Sequence, residues 1–145
     1  MPQVLCNPSA KNRWYFGDFN GDKRTDALCM SDKEFFKLAH TSPDGAPIKL
    51  NWQGYLRECT GWFRFIGDFN GDGRDDVLCR DDQSRKLTIK FANKDGQFDD
   101  LELNVGNFCT QPADRIFIAD VNGDGKADLI CRYANVDIEI RLNRI

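Results

Sequence analysis

Histidine is almost missing from this chain: His40 is the only one in 145 residues. A Ser-His-Asp hydrolase would need it beside a nucleophile, and the sequence has no Gly-x-Ser-x-Gly turn to supply one. His40 therefore reads as a surface or strand residue. The cysteines never fall at the C-x-x-C spacing of zinc sites. No apolar run approaches the roughly 20 residues that a membrane-crossing helix needs, so no membrane insertion is expected. Basic residues form no stripe. The 20 Lys and Arg are scattered among 23 acids for a net charge of -3, which gives no electrostatic footprint for nucleic acid. No window of a dozen residues sustains helical periodicity. The one Asn-x-Ser triplet, Asn7-Pro8-Ser9, carries the proline that blocks glycosylation. The opening residues Met1 to Cys6 lack the charged start and apolar stretch of a leader, so a secreted form is expected to have had its signal removed.

What remains is a soluble, foldable composition. Hydrophobic residues make up 41% and charged residues 30%, and the length suits one domain. Six cysteines, Cys6, Cys29, Cys59, Cys79, Cys109 and Cys131, are an even count at regular spacing. That pattern points to disulfides, an oxidising compartment and a secreted, extracellular protein.

A repeat organises the chain. Phe16-Gly17-Asp18-Phe19-Asn20-Gly21-Asp22 returns as Ile66-Gly67-Asp68-Phe69-Asn70-Gly71-Asp72 and as Ile118-Ala119-Asp120-Val121-Asn122-Gly123-Asp124. Each copy is preceded by a cysteine and runs into an apolar pair and another: Ala27-Leu28-Cys29, Val77-Leu78-Cys79 and Leu129-Ile130-Cys131. The repeats span approximately 6–55, 56–105 and 106–145 in a single domain. Their flanks read as strands. Trp62 to Ile66 and Arg115 to Ile118 are rich in aromatic and β-branched residues. Apolar residues alternate strictly at Leu87, Ile89 and Phe91, at Leu101, Leu103 and Val105, and at Val136, Ile138, Ile140 and Leu142. Turns are expected at Asp44-Gly45 and Asp95-Gly96. The expected fold is all-β: three repeats of about 50 residues, each a four-stranded antiparallel sheet.

The acidic loops carry the chemistry. Counting the first aspartate as position one, side-chain oxygens fall at positions one, three, five and nine. These are Asp18, Asn20, Asp22 and Asp26; then Asp68, Asn70, Asp72 and Asp76; then Asp120, Asn122, Asp124 and Asp128. Such donors converge when a chain curls around a hard cation, and calcium takes six to eight oxygens. A backbone carbonyl near position seven, at Arg24, Arg74 or Lys126, would extend each set. Glycine at position six, as at Gly73 and Gly125, permits the sharp turn. Lys23 stands there in the first copy, where a strained or weaker loop is expected. About three Ca2+ ions are expected. The loop is not an EF-hand, because position twelve is a cysteine and no exiting helix follows.

These segments resemble the FG-GAP and VCBS repeats of integrin α-chains and many secreted proteins. The resemblance implies that each loop joins the first two strands of a β-propeller blade and binds calcium. The cysteine pairs depart from that pattern. Three repeats also fall short of the usual four to eight blades, which leaves an unusual ring, a homo-oligomer completing a ring, or a larger parent protein. The repeat favours Cys6–Cys29, Cys59–Cys79 and Cys109–Cys131; a second scheme pairs Cys29–Cys59, Cys79–Cys109 and Cys6–Cys131.

Nothing in the sequence assembles a catalytic constellation, so a non-enzymatic module recognising an extracellular glycan or protein ligand is the leading expectation. A calcium-stabilised accessory domain of a secreted enzyme or toxin is the alternative. Among the aromatics, Trp14 and Trp62 read as packing beside core strands, with Tyr133 a further candidate platform. Trp52 and Tyr55, near the Gln53-Gly54 turn, read as the ligand platform.

Overall fold

The computed structural model describes residues 12–30, 35–44, 50–57, 59, 63–81 and 83–143. They form eleven strands and, among the described residues, no helix. In chain order these are β1 (Arg13–Gly17), β2 (Asp26–Met30), β3 (Phe35–Ala39), β4 (Trp52–Tyr55), β5 (Arg64–Gly67), β6 (Asp76–Arg80), β7 (Leu87–Ala92), β8 (Phe98–Gly106), β9 (Arg115–Ala119), β10 (Asp128–Arg132) and β11 (Ile138–Arg141). Sequential antiparallel pairing gives three sheets, β1-β2-β3-β4, β5-β6-β7-β8 and β9-β10-β11. Two sheets match the four strands expected per repeat. The third holds three among the described residues. The Leu87–Phe91 run is β7, and the Leu101–Val105 run lies within the longer β8. Val136 falls outside β11, in a turn with φ 68°.

Period-two patterning gives each sheet two apolar faces, and the sheets bury them against one another. One core joins the first sheet to the second. Phe19, Leu28, Met30, Phe36 and Leu38 meet Val77, Cys79, Ala92 and Phe98. A second core joins the second sheet to the third, where Phe69, Leu78, Leu87 and Ile89 meet Ile116, Leu129 and Cys131. Polar contacts cross the same seams. The Arg64 guanidinium lies 5.2 Å from the centre of the Phe36 ring, and the His40 ring Nε2 sits 2.9 Å from the Gly96 carbonyl. His40 is thus a half-buried link between sheets.

Cysteines staple the loop-bearing hairpins. Cys59–Cys79 and Cys109–Cys131 are disulfides, with Cα separations of 4.9 and 5.5 Å. Both belong to the scheme the repeat favours. Cys29 is also disulfide-bonded; its expected partner Cys6 lies outside the described residues, as does Trp62. Trp14 departs from expectation. It is 47% exposed and stacked on Phe16, with ring centres 6.2 Å apart, rather than buried as core. The cause is position: it lies on the face of β1 turned away from the second sheet.

The two bridges close loops with sequence separations of 20 and 22 residues. Chain entropy assigns such a closure about 3 kcal/mol. Replacing Cys59 and Cys79 together by serine is expected to lower the unfolding free energy by about that amount, read from urea denaturation with a steeper slope because the unfolded chain loses its crosslink.

Candidate functional site

Residues 18–26, 68–76 and 120–128 connect β1 to β2, β5 to β6 and β9 to β10, and the three loops share one hydrogen-bond plan. The position-one carboxylate accepts three backbone amides of its own turn. Asp18 Oδ1 takes the N–H groups of Gly21 (2.7 Å) and Asp22 (3.1 Å), and its Oδ2 takes that of Lys23 (2.7 Å). Asp68 takes Gly71, Asp72 and Gly73 in the same way, and Asp120 takes Gly123, Asp124 and Gly125. The Oδ1 atoms of Asn20, Asn70 and Asn122 each accept the position-five amide at 3.2 Å. Asp22, Asp72 and Asp124 accept the position-seven amide.

Position nine is different in kind. Asp26, Asp76 and Asp128 are fully buried. One oxygen of each accepts an amide near the loop start: Phe19 at 3.0 Å, Phe69 at 2.9 Å or Val121 at 3.0 Å. The other oxygen accepts an amide at or just past the end of the third strand of its sheet: Thr41 at 3.0 Å, Ala92 at 2.9 Å or Asn143 at 2.7 Å. Each position-nine carboxylate therefore pins its loop to its sheet. Burial pushes the Asp76 carboxyl up to about 7, with Asp72 and Asp68 adding repulsion while its two amide partners pull it down. Burial likewise raises Asp26 against the pull of its amide partners.

The loops differ at positions five and seven. The Arg24 guanidinium sits 2.6 Å from Asp22 Oδ2, and Arg74 sits 2.6 Å from Asp72 Oδ2. A cation of the protein's own thus already lies on the fifth-position carboxylate. In the third loop position seven is Lys126, and Asp124 Oδ2 is 3.3 Å from the Asn122 amide nitrogen. There Asp120, Asp124 and Asp128 offer carboxylate oxygens that all lie within 4.8 Å of one another. The third loop has the donor chemistry a hard divalent ion requires, three carboxylates and a neighbouring amide oxygen.

The two aromatics expected to meet a ligand lie on different faces. Trp52 and Tyr55 are three residues apart on β4 and project to opposite faces. Trp52 packs edge-on against Phe98 in the first core, whereas Tyr55 is 68% exposed against Phe35. A groove of about 460 Å³ lies between the second and third sheets, lined by Ile89, Leu103, Val105, Leu129 and Arg141 among others. Sequence reasoning missed it because its walls come from segments some 40 residues apart, brought together only by sheet stacking. It also missed Asp75, whose side chain accepts the Asp18 amide at 2.8 Å while its own amide donates to the Asp18 carbonyl at 2.7 Å.

Two outcomes follow from this geometry. Lys23 adopts φ 68°, where Gly73 and Gly125 have φ 84° and 83°. The left-handed region costs a side chain about 1–2 kcal/mol, partly offset by the larger entropy glycine loses on folding. Lys23→Gly is expected to stabilise by about 0.5–1 kcal/mol, and Gly125→Ala, with nothing within 4 Å of the added methyl, to destabilise by about 1 kcal/mol. The raised Asp76 gives stability that is complete below the unfolded value of 3.8 and lost as pH rises through about 7. With chelator present, the wild type is therefore expected to lose stability over that window in a step that Asp76→Asn lacks, read by denaturant titration at several pH values.

Residues 68–131 match the family model of the FG-GAP-like repeat. No match is found among curated proteins. Among solved structures, one of an Agrocybe aegerita lectin, described as recognising non-reducing terminal N-acetylglucosamine specifically, superimposes with a TM-score of 0.65 at 22% identity over 92% of this chain. The chain spans 39% of that lectin's length. A TcdB2-TccC3-Cdc42 structure superimposes with a TM-score of 0.64 at 16% identity over 92% of this chain, which spans 6% of its length. Residues 68–131 thus match the FG-GAP-like repeat, within a propeller-like fold of three antiparallel sheets.

Proposed function

We propose that this chain is a secreted, non-enzymatic recognition module whose acidic loops bind calcium and whose groove between sheets two and three takes a glycan. The convergence of Asp120, Asp124 and Asp128 carries the metal part of this reading. Calcium is assigned first to the third loop. In the first two, an ion would have to displace the Arg24 or Arg74 guanidinium from Asp22 or Asp72. Disulfides support an extracellular setting. The ion's role is structural, because it would neutralise carboxylates that the fold itself gathers.

The glycan part is supported by the lectin of similar fold and by the groove's chemistry. Its walls are mainly apolar, with Arg141 supplying charge and Asn143 holding one end by donating to the Phe69 and Ala127 carbonyls. An apolar wall beside a polar donor suits a sugar that presents both a methyl and an amide, as an N-acetylhexosamine does.

Equilibrium dialysis is expected to find calcium bound to the wild type, with the tightest site lost in Asp124→Ala. At about 100 times its dissociation constant the ion is expected to add roughly 2.7 kcal/mol to stability. A glycan array run with and without chelator tests the ligand. Binding to N-acetylhexosamine-terminated glycans is expected, and Leu103→Trp, at a 40% exposed position on the groove wall, is expected to abolish it without unfolding the protein. Silence on the array, with chelator only lowering the melting temperature, would favour a calcium-stabilised accessory domain.

A further inference from the structure

The three repeats place equivalent residues on equivalent faces, and two of those faces stand exposed. The face that each sheet turns to the next one in the chain is built on a single register. Strand pairing sets Leu28 beside Leu38, Leu78 beside Ile89, and Ile130 beside Ile140. One step along, Phe36, Leu87 and Ile138 are equivalent, as are Tyr15, Phe65 and Phe117 on the first strand of each sheet. In the first two sheets this face is covered: Leu28, Leu38, Phe36, Leu78, Leu87 and Ile89 are buried. In the third it is open, with Ile138 66%, Ile140 53% and Phe117 52% exposed.

The opposite face shows the complementary pattern. The second sheet presents Ile66 and Val77 to the first, and the third presents Ile118 and Leu129 to the second. The equivalents in the first sheet are Phe16 and Ala27, with Trp14 alongside; Ala27 is buried in a small cluster with Cys29 and Ala39, while Phe16 and Trp14 on the outer strand are 61% and 47% exposed. One molecule thus carries an open Phe117, Ile138 and Ile140 face on its third sheet and an exposed Trp14 and Phe16 strip on its first, equivalent to the two halves of an interface that it forms twice internally.

We propose that these faces bind each other between two copies of the chain, the third sheet of one seating on the first sheet of the other, so that two chains close a six-sheet ring. Two copies together present six sheets, a number within the four to eight of known rings. A head-to-tail contact of this kind forms a closed assembly when its rotation returns to the start. The internal seams also fix the register of the new one. The Asp75 amide donates to the Asp18 carbonyl and the Ala127 amide to the Asp68 carbonyl, both at 2.7 Å. The equivalent bond across the new seam runs from the second copy's Thr25 amide to the Asp120 carbonyl. One difference is steric. Gly17 and Gly67 pack so closely on the following sheet that a Cβ would lie 2.7 Å from Ile66 and 3.2 Å from Ala127. Ala119 and Phe16 add bulk at the corresponding place, so the new seam is wider.

Sedimentation equilibrium of the oxidised 145-residue chain tests this. The expected mass is twice the chain's 16.6 kDa. Ile140→Asp and Phe16→Asp alter opposite halves of the seam at positions already more than half exposed, so each is expected to fold and to run at the mass of one chain. Mixing the two variants restores one intact seam, and a two-chain species is expected to return. A single-chain wild type, a dimer untouched by both substitutions, or a mixture that stays monomeric would each overturn the proposal. If either variant loses cooperative unfolding, Ile138→Lys and Trp14→Lys make the same comparison.

Discussion

A buried carboxylate with two backbone amides is the contact on which this molecule is built. Position nine of each loop is an aspartate with no exposure, and its two oxygens tie the start of the loop to the end of the third strand. Amide donors offset part of the cost of hiding a charge, yet burial still holds Asp76 near neutrality. The loop is therefore tethered to its sheet by its own backbone amides. The position-one carboxylate does the complementary work at the surface by capping three amides of the turn, so the loop's backbone is satisfied before any ion is considered.

From these pins the architecture follows. A fixed loop sets the angle between the first two strands of each sheet, and the repeat carries the same geometry to all three. Each sheet then offers one apolar face forward and another back, and stacking buries them in two cores. The groove lined by Ile89, Leu103 and Leu129 is a product of that stacking. Cysteines tighten the same hairpins, consistent with a chain whose individual sheets are too small to hold a core alone.

Much of this was legible in the sequence because it is local. The loops announced themselves by oxygen spacing, the strands by alternation, and the disulfides Cys59–Cys79 and Cys109–Cys131 by their place in the repeat. What escaped depends on which way side chains turn, in part through contacts between sheets. Trp14 looked like core because it lies on a strand, yet only stacking decides which face of that strand is covered. Trp52 and Tyr55 are close in sequence, but a separation of three in a strand sends them to opposite faces. Arg24 and Arg74 entered the sequence reading as carbonyl donors. Their side chains also occupy the carboxylates of Asp22 and Asp72, a competition that spacing alone does not reveal.

Native-state hydrogen exchange at the amides of Phe69 and Ala92, the two donors to Asp76, addresses the central contact most directly. Both are expected to exchange only through global opening, with protection approaching the full unfolding free energy. Exchange at the rate of the exposed turn amides of Gly71 and Gly73 would show that the buried carboxylate does not hold the loop to its sheet.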